Sequence, residues 1–344
     1  MPSKPFSPGE SPCCLSLGGS APEVRVGLYT EHLYRDGQVG TGTSKYIFYL
    51  VRELERLGVE IVPLHKGANP KDIDVLHDPH SPWNAPLKPK RPLVITIHDM
   101  TPFTHPQYYG RWVRFLYAQK LRWFSRVAQR ILVDAHPTEA VVREVFRPRR
   151  PVDVIHLGAE ERFRILPANP PERPFIAQVG VHRAIKEPMT TLRAFEEIAD
   201  RIPHELHFVG SRGALVEPLE AFATERPSLR DRVKFYWPGE DGVPLVYNQT
   251  SLVVHPCPEE GFGFVPLEAL ACGAHVLARA PAVREILGPY GCYFDDPATL
   301  GLKIMECLAR PPSASREERA RHAHRYTFRA TAEATLHAYE AVAA

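Results

Sequence analysis

No apolar run in this 344-residue chain approaches the roughly 18–20 residues needed to span a bilayer. The first residues also lack the continuous hydrophobic stretch of a secretory signal, so the expected location is the cytoplasm. Net charge is nearly absent: 42 Lys and Arg against 40 Asp and Glu leave +2, a field too weak to make nucleic acid the main partner. The six cysteines, Cys13, Cys14, Cys257, Cys272, Cys292 and Cys307, contain no CxxC spacing, and the adjacent pair Cys13-Cys14 cannot grip zinc as such motifs do. All six are therefore read as reduced structural thiols. Two nucleotide signatures fail as well. The glycine-rich stretch Gly37–Gly42 is followed by Thr43-Ser44, with Lys45 two places late for a P-loop, and a dinucleotide fingerprint would need glycine where Lys45 stands. Proline is what the chain has in excess, 35 residues, about twice ordinary usage.

The length suits two domains, and a 44% apolar, 24% charged composition is that of a globular protein. Residues 1–22, rich in Pro, Ser and Gly, are expected to be a disordered leader. Val24–Tyr29 reads as a strand, the glycine-rich turn follows, and Ser44–Leu57 has apolar residues at helical spacing until Gly58. Val59–Leu64, Val75–His77 and Leu93–His98 are further strands, an alternation that implies a parallel sheet. A second alternation starts after the Pro-dense stretch Pro167–Pro174. It comprises strands at Phe175–Gly180, Leu206–Gly210, Val233–Tyr236 and Leu252–His255, and helices at Met189–Ile202, Leu215–Ala223 and Pro266–Cys272. The expected architecture is α/β, with two Rossmann-like halves and a final helical segment, Tyr326–Val342, that could pack on either.

The stretch most suggestive of chemistry runs from His255 to Gly273 and reads strand end, glycine loop, helix start. Backbone N–H groups near Val265–Leu267 would face the cleft at the carboxyl edge of the sheet, where phosphate is attracted. Glu260 and Glu268 bracket the loop with seven residues between them. Beside a phosphate such carboxylates need another task, for example accepting from sugar hydroxyls; the plain alternative is a dipole-complementing Glu268 and a solvated Glu260.

That two-glutamate spacing around Gly261-Phe262-Gly263, followed by Ala269-Leu270-Ala271-Cys272-Gly273, closely resembles the signature of retaining GT-B glycosyltransferases of family 4. Other stretches resemble the family in the same order. His98-Asp99 ends a strand as in its mannosyltransferase-like branch, Val179-Gly180 precedes Lys186 by the usual distance, and Val154–Gly158 resembles the hinge strand between domains. The resemblance covers roughly residues 24–342. It implies a GT-B fold, two Rossmann-like domains facing across a cleft: an acceptor-side domain over 23–165, a nucleotide-sugar domain over 170–325, and a C-terminal helix, 326–344, crossing back to the first.

By the same resemblance, Glu260 meets the donor hexose, Lys186 neutralises the leaving diphosphate and His98 lies beside the transferred sugar. Glu268 accepts from the ribose, and the run Gly261, Phe262, Gly263, Phe264, Val265 cradles the donor. Gly40 and Gly42 face its phosphates or the acceptor, although a plain turn explains them too. The implied reaction is retaining transfer of a hexosyl group from a nucleotide diphosphate sugar, with GDP-mannose weakly favoured, to a hydroxyl acceptor in cell-surface glycan or glycolipid assembly. One departure stands out: the family places arginine directly after the glycine matched by Gly180, and here Val181 stands there, leaving Arg183 to reach the phosphates from three residues on. A catalytically silent nucleotide-sugar binder or a membrane-peripheral scaffold is the alternative.

Basic residues at 111, 114, 122, 126 and 130, interleaved with aromatics, suit either a peripheral membrane contact near a lipid-linked acceptor or a helix with arginines in water. No metal is expected. Asp72-Ile73-Asp74 imitates the Asp-x-Asp of another glycosyltransferase class, with His77, Asp78 and His80 close behind, but it enters a strand and so belongs at the amino edge of the sheet, away from ligands.

Overall fold

The computed structural model describes residues 24–30, 42–211, 213, 215–310 and 313–343. The expected leader, 1–22, and most of the glycine-rich stretch, Gly40 included, lie outside the described residues. The first half runs β1 (Arg25–Tyr29), α1 (Gly42–Arg56), β2 (Glu60–Leu64), β3 (Val75–Asp78), β4 (Leu93–Ile97), α2 (Arg111–Val127), β5 (Arg130–Val133), α3 (His136–Phe146), β6 (Val152–Val154). The second runs β7 (Phe175–Val179), α4 (Pro188–Ile198), β8 (Glu205–Val209), α5 (Val216–Thr224), β9 (Val233–Tyr236), α6 (Val243–Gln249), β10 (Leu252–His255), α7 (Phe264–Ala271), β11 (Val276–Ala278), α8 (Pro281–Leu287), β12 (Cys292–Tyr293), α9 (Leu300–Ala309). Two more helices follow, α10 (Arg316–Ala323) and α11 (Phe328–Ala343).

The strands form two six-stranded sheets, ordered β2-β1-β3-β4-β5-β6 and β12-β11-β10-β7-β8-β9. Every pairing between them is parallel. The central strands are buried on both faces, which is why they read as continuous apolar runs: Leu93–Ile97 and Phe175–Val179 contain no exposed residue. Each sheet reverses its order once, between β1 and β3 and between β7 and β10, and ligands bind at the carboxyl ends of strands flanking such a reversal.

Many of the prolines start helices. Pro137, Pro188, Pro244 and Pro281 occupy the first two positions of α3, α4, α6 and α8, where a missing N–H breaks no intrahelical bond. Helix α7 begins at Phe264, two residues before the sequence expectation, and Pro266 still falls inside its first turn. The presumed hinge strand is shorter than expected. Only Val152–Val154 pair as a strand; the chain then crosses beside the returning C-terminal segment, with Ala159 N–H donating to Tyr326 O at 3.0 Å and Thr331 Oγ1 to His156 O at 2.8 Å. A Cβ on Gly158 would stand 2.1 Å from the Phe328 backbone nitrogen, so the two crossings pack backbone to backbone. Helix α11 then lies on the first sheet's side, its Tyr339 hydroxyl 2.7 Å from His77 Nδ1. One apolar core runs continuously from Ile47 and Leu50 of α1 through Phe328 to Leu267 and Val276 of the second half.

Candidate active site

The loops after β7 and β10 flank the second sheet's reversal, and they carry Lys186 and Glu260. Lys186 Nζ is ion-paired to Glu260 Oε1, and His255 Nε2 lies 2.8 Å from the same oxygen. The Gln178 side chain donates to Lys186 O at 2.8 Å and ties the β7 loop to its own strand. Burial on its own would neutralise Lys186, but Glu260 outweighs it and holds the ammonium well above its ordinary value. Burial likewise opposes the Glu260 charge, and Lys186 with His255 overcomes it, so this carboxyl lies far below the usual range. The pair stays wet on one side, with the Lys186 side chain about one-third exposed (34%).

Gly261 brings this loop against the first sheet. A Cβ there would sit 1.9 Å from the His98 carbonyl oxygen, so only glycine permits the approach. Gly263 has φ +100°, a left-handed conformation at the start of α7 that also favours glycine. Across the seam, His98 Nδ1 lies 2.8 Å from Asp134 Oδ2 and its Nε2 is 2.8 Å from Pro79 O. Both ring nitrogens are thus partnered by protein. Burial would discharge this imidazole, and Asp134 more than compensates, raising its affinity for a proton. Glu259 stands at the same seam, 3.7 Å from His105 Nδ1, and burial together with the Asp99 charge pushes its carboxyl up to about 7.

Glu268 is where the sequence leaves most unsaid. It is 4% exposed and ion-paired at 2.5 Å to Lys45 of α1, whose Nζ also meets Glu160 Oε1 at 2.6 Å. Tyr49 donates to the other Glu160 oxygen at 2.8 Å, where Arg162 also pairs at 2.8 Å. Lys45 further lies 5.4 Å and 5.5 Å above the rings of Phe163 and Phe264. Burial disfavours its charge, but Glu268 and Glu160 hold the ammonium above its ordinary value. The two halves of the molecule are therefore joined by a buried lysine between two carboxylates.

The remaining expected residues scatter by degree. Phe262 is 3% exposed and packs near His156 and Tyr326, while the Phe264 ring lies 6.2 Å from Phe328. These side chains belong to the core between the halves, and what they offer the cleft is backbone. Val265 lies in the first turn of α7, and the Leu267 N–H already donates to Gly263 O at 3.1 Å. Gly42 opens α1 with Phe264 Cδ2 3.4 Å from where its Cβ would be. Arg183 is exposed and makes no ion pair among the described residues; its charge acts on Tyr109, together with that of Lys186. Asp72 and Asp74 take structural partners at the amino edge, where the Arg25 side chain meets Asp72 and the Arg25 N–H donates to Asp74 at 2.8 Å. His77 and Asp78 are fully buried, Asp78 accepting backbone N–H groups of Asn84 and Ala85 at 2.7 Å.

Sequence reasoning missed Lys45, Glu160, Asp134 and Glu259 as members of this site. Lys45 had a signal, a basic residue in the first turn of the helix after a glycine-rich stretch, but it served only to exclude a P-loop. A cavity of about 230 Å³ was missed too; it lies past the carboxyl ends of β7 to β9, lined by His182, Phe208, Phe235, Tyr236 and Trp237. Burial lowers His182 to about 4, so its ring is neutral there.

Residues 160–323 match the family model "Glycosyl transferases group 1", and residues 63–162 match "Glycosyltransferase Family 4". Among curated proteins, the "D-inositol 3-phosphate glycosyltransferase" of Mycolicibacterium smegmatis is 29% identical over 233 residues, 64% of this chain and 52% of that protein. The protein of the same name from Segniliparus rotundus is 32% identical over 185 residues, 50% of this chain and 40% of its own length. The chain thus spans about half the length of the first of these relatives and less of the second. Among solved structures, sucrose-phosphate synthase from Thermosynechococcus elongatus superposes with TM-score 0.74 at 17% identity, covering 92% of this chain and 98% of that one. Anabaena HepE in complex with UDP gives 0.68 at 14% identity, covering 92% and 100%. At these identities the two structures speak for the fold, which is GT-B.

Proposed function

We propose that this chain, which has the GT-B fold and matches the group 1 and family 4 glycosyltransferase models over residues 160–323 and 63–162, transfers a hexosyl group from a nucleotide diphosphate sugar to a hydroxyl acceptor with retention of configuration. The observation that carries this reading is the Lys186–Glu260 pair at the reversal of the second sheet, pressed through Gly261 against His98 of the first. When the bond between anomeric carbon and phosphate oxygen breaks, negative charge gathers on the diphosphate and positive charge on the sugar. Lys186, the backbone N–H groups opening α7 and the exposed Arg183 face the first; Glu260 faces the second and orients the hydroxyls. His98, with both nitrogens committed, holds its proton and shapes the wall beside the sugar. Glu268 takes the ribose hydroxyls if Lys45 shares it. The aromatic cavity by Trp237 receives the base.

Lysine and helix dipole supply the charge that a cation would bring, so the reaction is proposed to need no metal. The expectation of GDP-mannose rests on the His98–Pro102 run, whereas solved relatives of the same fold carry UDP or UDP-glucose. The curated relatives suggest a phosphorylated inositol as acceptor. A lipid-linked acceptor fits another feature: α2 exposes Trp112, Val113, Phe115, Leu116 and Trp123 among four arginines and a lysine, with no acidic residue in the helix. No helix among the described residues is long and apolar enough to cross a membrane, so such contact would be peripheral.

The test is release of nucleoside diphosphate from GDP-mannose and UDP-glucose, each with inositol 3-phosphate, with excess EDTA in a parallel arm and the product anomer assigned by NMR. Turnover of one donor, unaffected by EDTA, is expected. Nucleotide binding without release under any acceptor would turn the reading to the silent binder that Val181 suggests.

A further inference from the structure

At the edge of the second sheet opposite the cleft, three soft ligands meet. His275 directly precedes β11, Cys292 begins β12 and Cys307 lies on α9. His275 Nε2 is 3.1 Å from Cys292 Sγ, and the three ligand atoms all lie within 4.8 Å of one another. His275 and Cys307 are 6% and 7% exposed, while Cys292 is half-buried and gives access from solvent. We propose that His275, Cys292 and Cys307 form a structural site for a divalent cation of the zinc class, with the fourth position open to water.

Ligand type and span carry this assignment. Two sulfurs and one imidazole nitrogen around a tetrahedral zinc stand roughly 3.5–3.8 Å apart, given metal–ligand lengths of about 2.3 and 2.0–2.1 Å. The observed cluster needs only small side-chain rotations to reach that. Neighbouring cations do not occupy the thiols: Arg319 donates to the carbonyls of Gly273 and Ala314, and Lys303 pairs with Glu306. Binding displaces the two thiol protons and leaves a centre of two thiolates, one neutral imidazole and M²⁺ with no net charge and no electron transferred. The gain is positional, since β12 is a two-residue edge strand and a cation would pin it to both β11 and α9. The other His/Cys/Glu cluster, His255, Cys257 and Glu260, carries no such proposal because Lys186 already occupies its carboxylate.

The full chain, reduced and freed of metal, would be titrated with Co²⁺. One equivalent is expected, with thiolate-to-cobalt charge-transfer absorption and tetrahedral visible bands, displaced by Zn²⁺. The absorption should vanish in Cys292→Ser and Cys307→Ser and persist in Cys257→Ser. Should the serine variants fail to fold, the unmutated chain still decides: Zn²⁺ should slow alkylation of Cys292 about tenfold or more and raise Tm. Folded, reduced protein with no charge-transfer band overturns the proposal. So does a band lost only in Cys257→Ser, or alkylation of Cys292 in the reduced chain at a rate indifferent to Zn²⁺.

Discussion

Two lysine–glutamate contacts meet near the cleft, and they differ in almost every physical respect. Lys186–Glu260 lies wholly within the second half, on two loops of one sheet, with a lysine side chain 34% exposed. Lys45–Glu268 joins residues 223 apart, from opposite halves, with side chains 13% and 6% exposed. The first lysine has one carboxylate; the second has two, Glu268 and Glu160. An open pair with an accessible cation can exchange its partner for a substrate, whereas a closed one mainly holds what surrounds it. On the proposed function, the contrast is between a pair that a substrate opens and one that chiefly holds the two halves together.

The largest effect should come from the open pair. Glu260→Ala is expected to lower turnover by about 100-fold or more, since it removes a group acting where charge develops. Nucleoside diphosphate affinity should stay within a few fold or rise, because Lys186 is then free to meet the phosphates. Single-turnover rates and calorimetry on one preparation separate the two quantities. Collapse of nucleotide affinity with turnover preserved would reverse the assigned roles.

Next is the closed pair. Lys45→Met leaves Glu268 buried without its cation, while Glu160 keeps Arg162, and losing one partner of a buried pair costs about 3–5 kcal/mol. Burial already raises the Glu268 carboxyl, so without Lys45 this acid would take up a proton, and the loss should be smaller at low pH than at high pH. Denaturant melts at two pH values check this, and the double change Lys45→Met, Glu268→Gln should recover part of the loss. A variant as stable as the parent at high pH would mean the pair contributes nothing to joining the halves.

The architecture was legible where local pattern dictates it. Leu93–Ile97 and Leu252–His255 are apolar because central strands of parallel sheets are buried on both faces, and the helix at Ser44 declared itself by spacing. The sequence expectation opens helix α7 at Pro266, with proline in the first turn; the helix begins two residues earlier, at Phe264, and Pro266 is still in that turn. Glu260 could be nominated from its loop, and Lys186 from the family resemblance. Their contact could not, nor could those of Lys45 with Glu268 or His98 with Asp134, because each joins residues distant in sequence: the Lys186 and His98 contacts depend on which strands are neighbours in a sheet, the Lys45 contact on how the two halves face. The His275, Cys292 and Cys307 cluster shows the same limit: the three residues have no short spacing, yet two neighbouring strands and a helix bring them together.

Glu268→Gln then asks whether the closed pair is only structural. A carboxylate accepts from both ribose hydroxyls, an amide only through its oxygen, and a charge-assisted hydrogen bond is worth about 1.5–3 kcal/mol. Loss of one such bond should weaken nucleoside diphosphate binding by about 10-fold or more, read by calorimetry. Unchanged affinity with lowered stability would confine Glu268 to holding Lys45.

The smallest expected effect concerns a carboxylate at the seam that neither lysine neutralises. Among the described residues, His105 at 3.7 Å is the one charge-bearing partner of Glu259; the Glu259 side chain is 11% exposed, and burial with the Asp99 charge raises its carboxyl to about 7. A carboxyl raised in the folded state binds more protons there than in the unfolded chain. Stability therefore falls as pH climbs from the ordinary value of 4.5 toward 7, and is spared below that window. Glu259→Gln stays neutral throughout and should escape the fall. Unfolding free energies of parent and variant from denaturant melts should nearly coincide at pH 4.5 and separate in the variant's favour by pH 8, by on the order of 1 kcal/mol once solvent screening at the seam is allowed for. Parallel curves would mean Glu259 ionises normally, through water or movement at the seam, and that the seam is more open than the Gly261 contact with His98 implies.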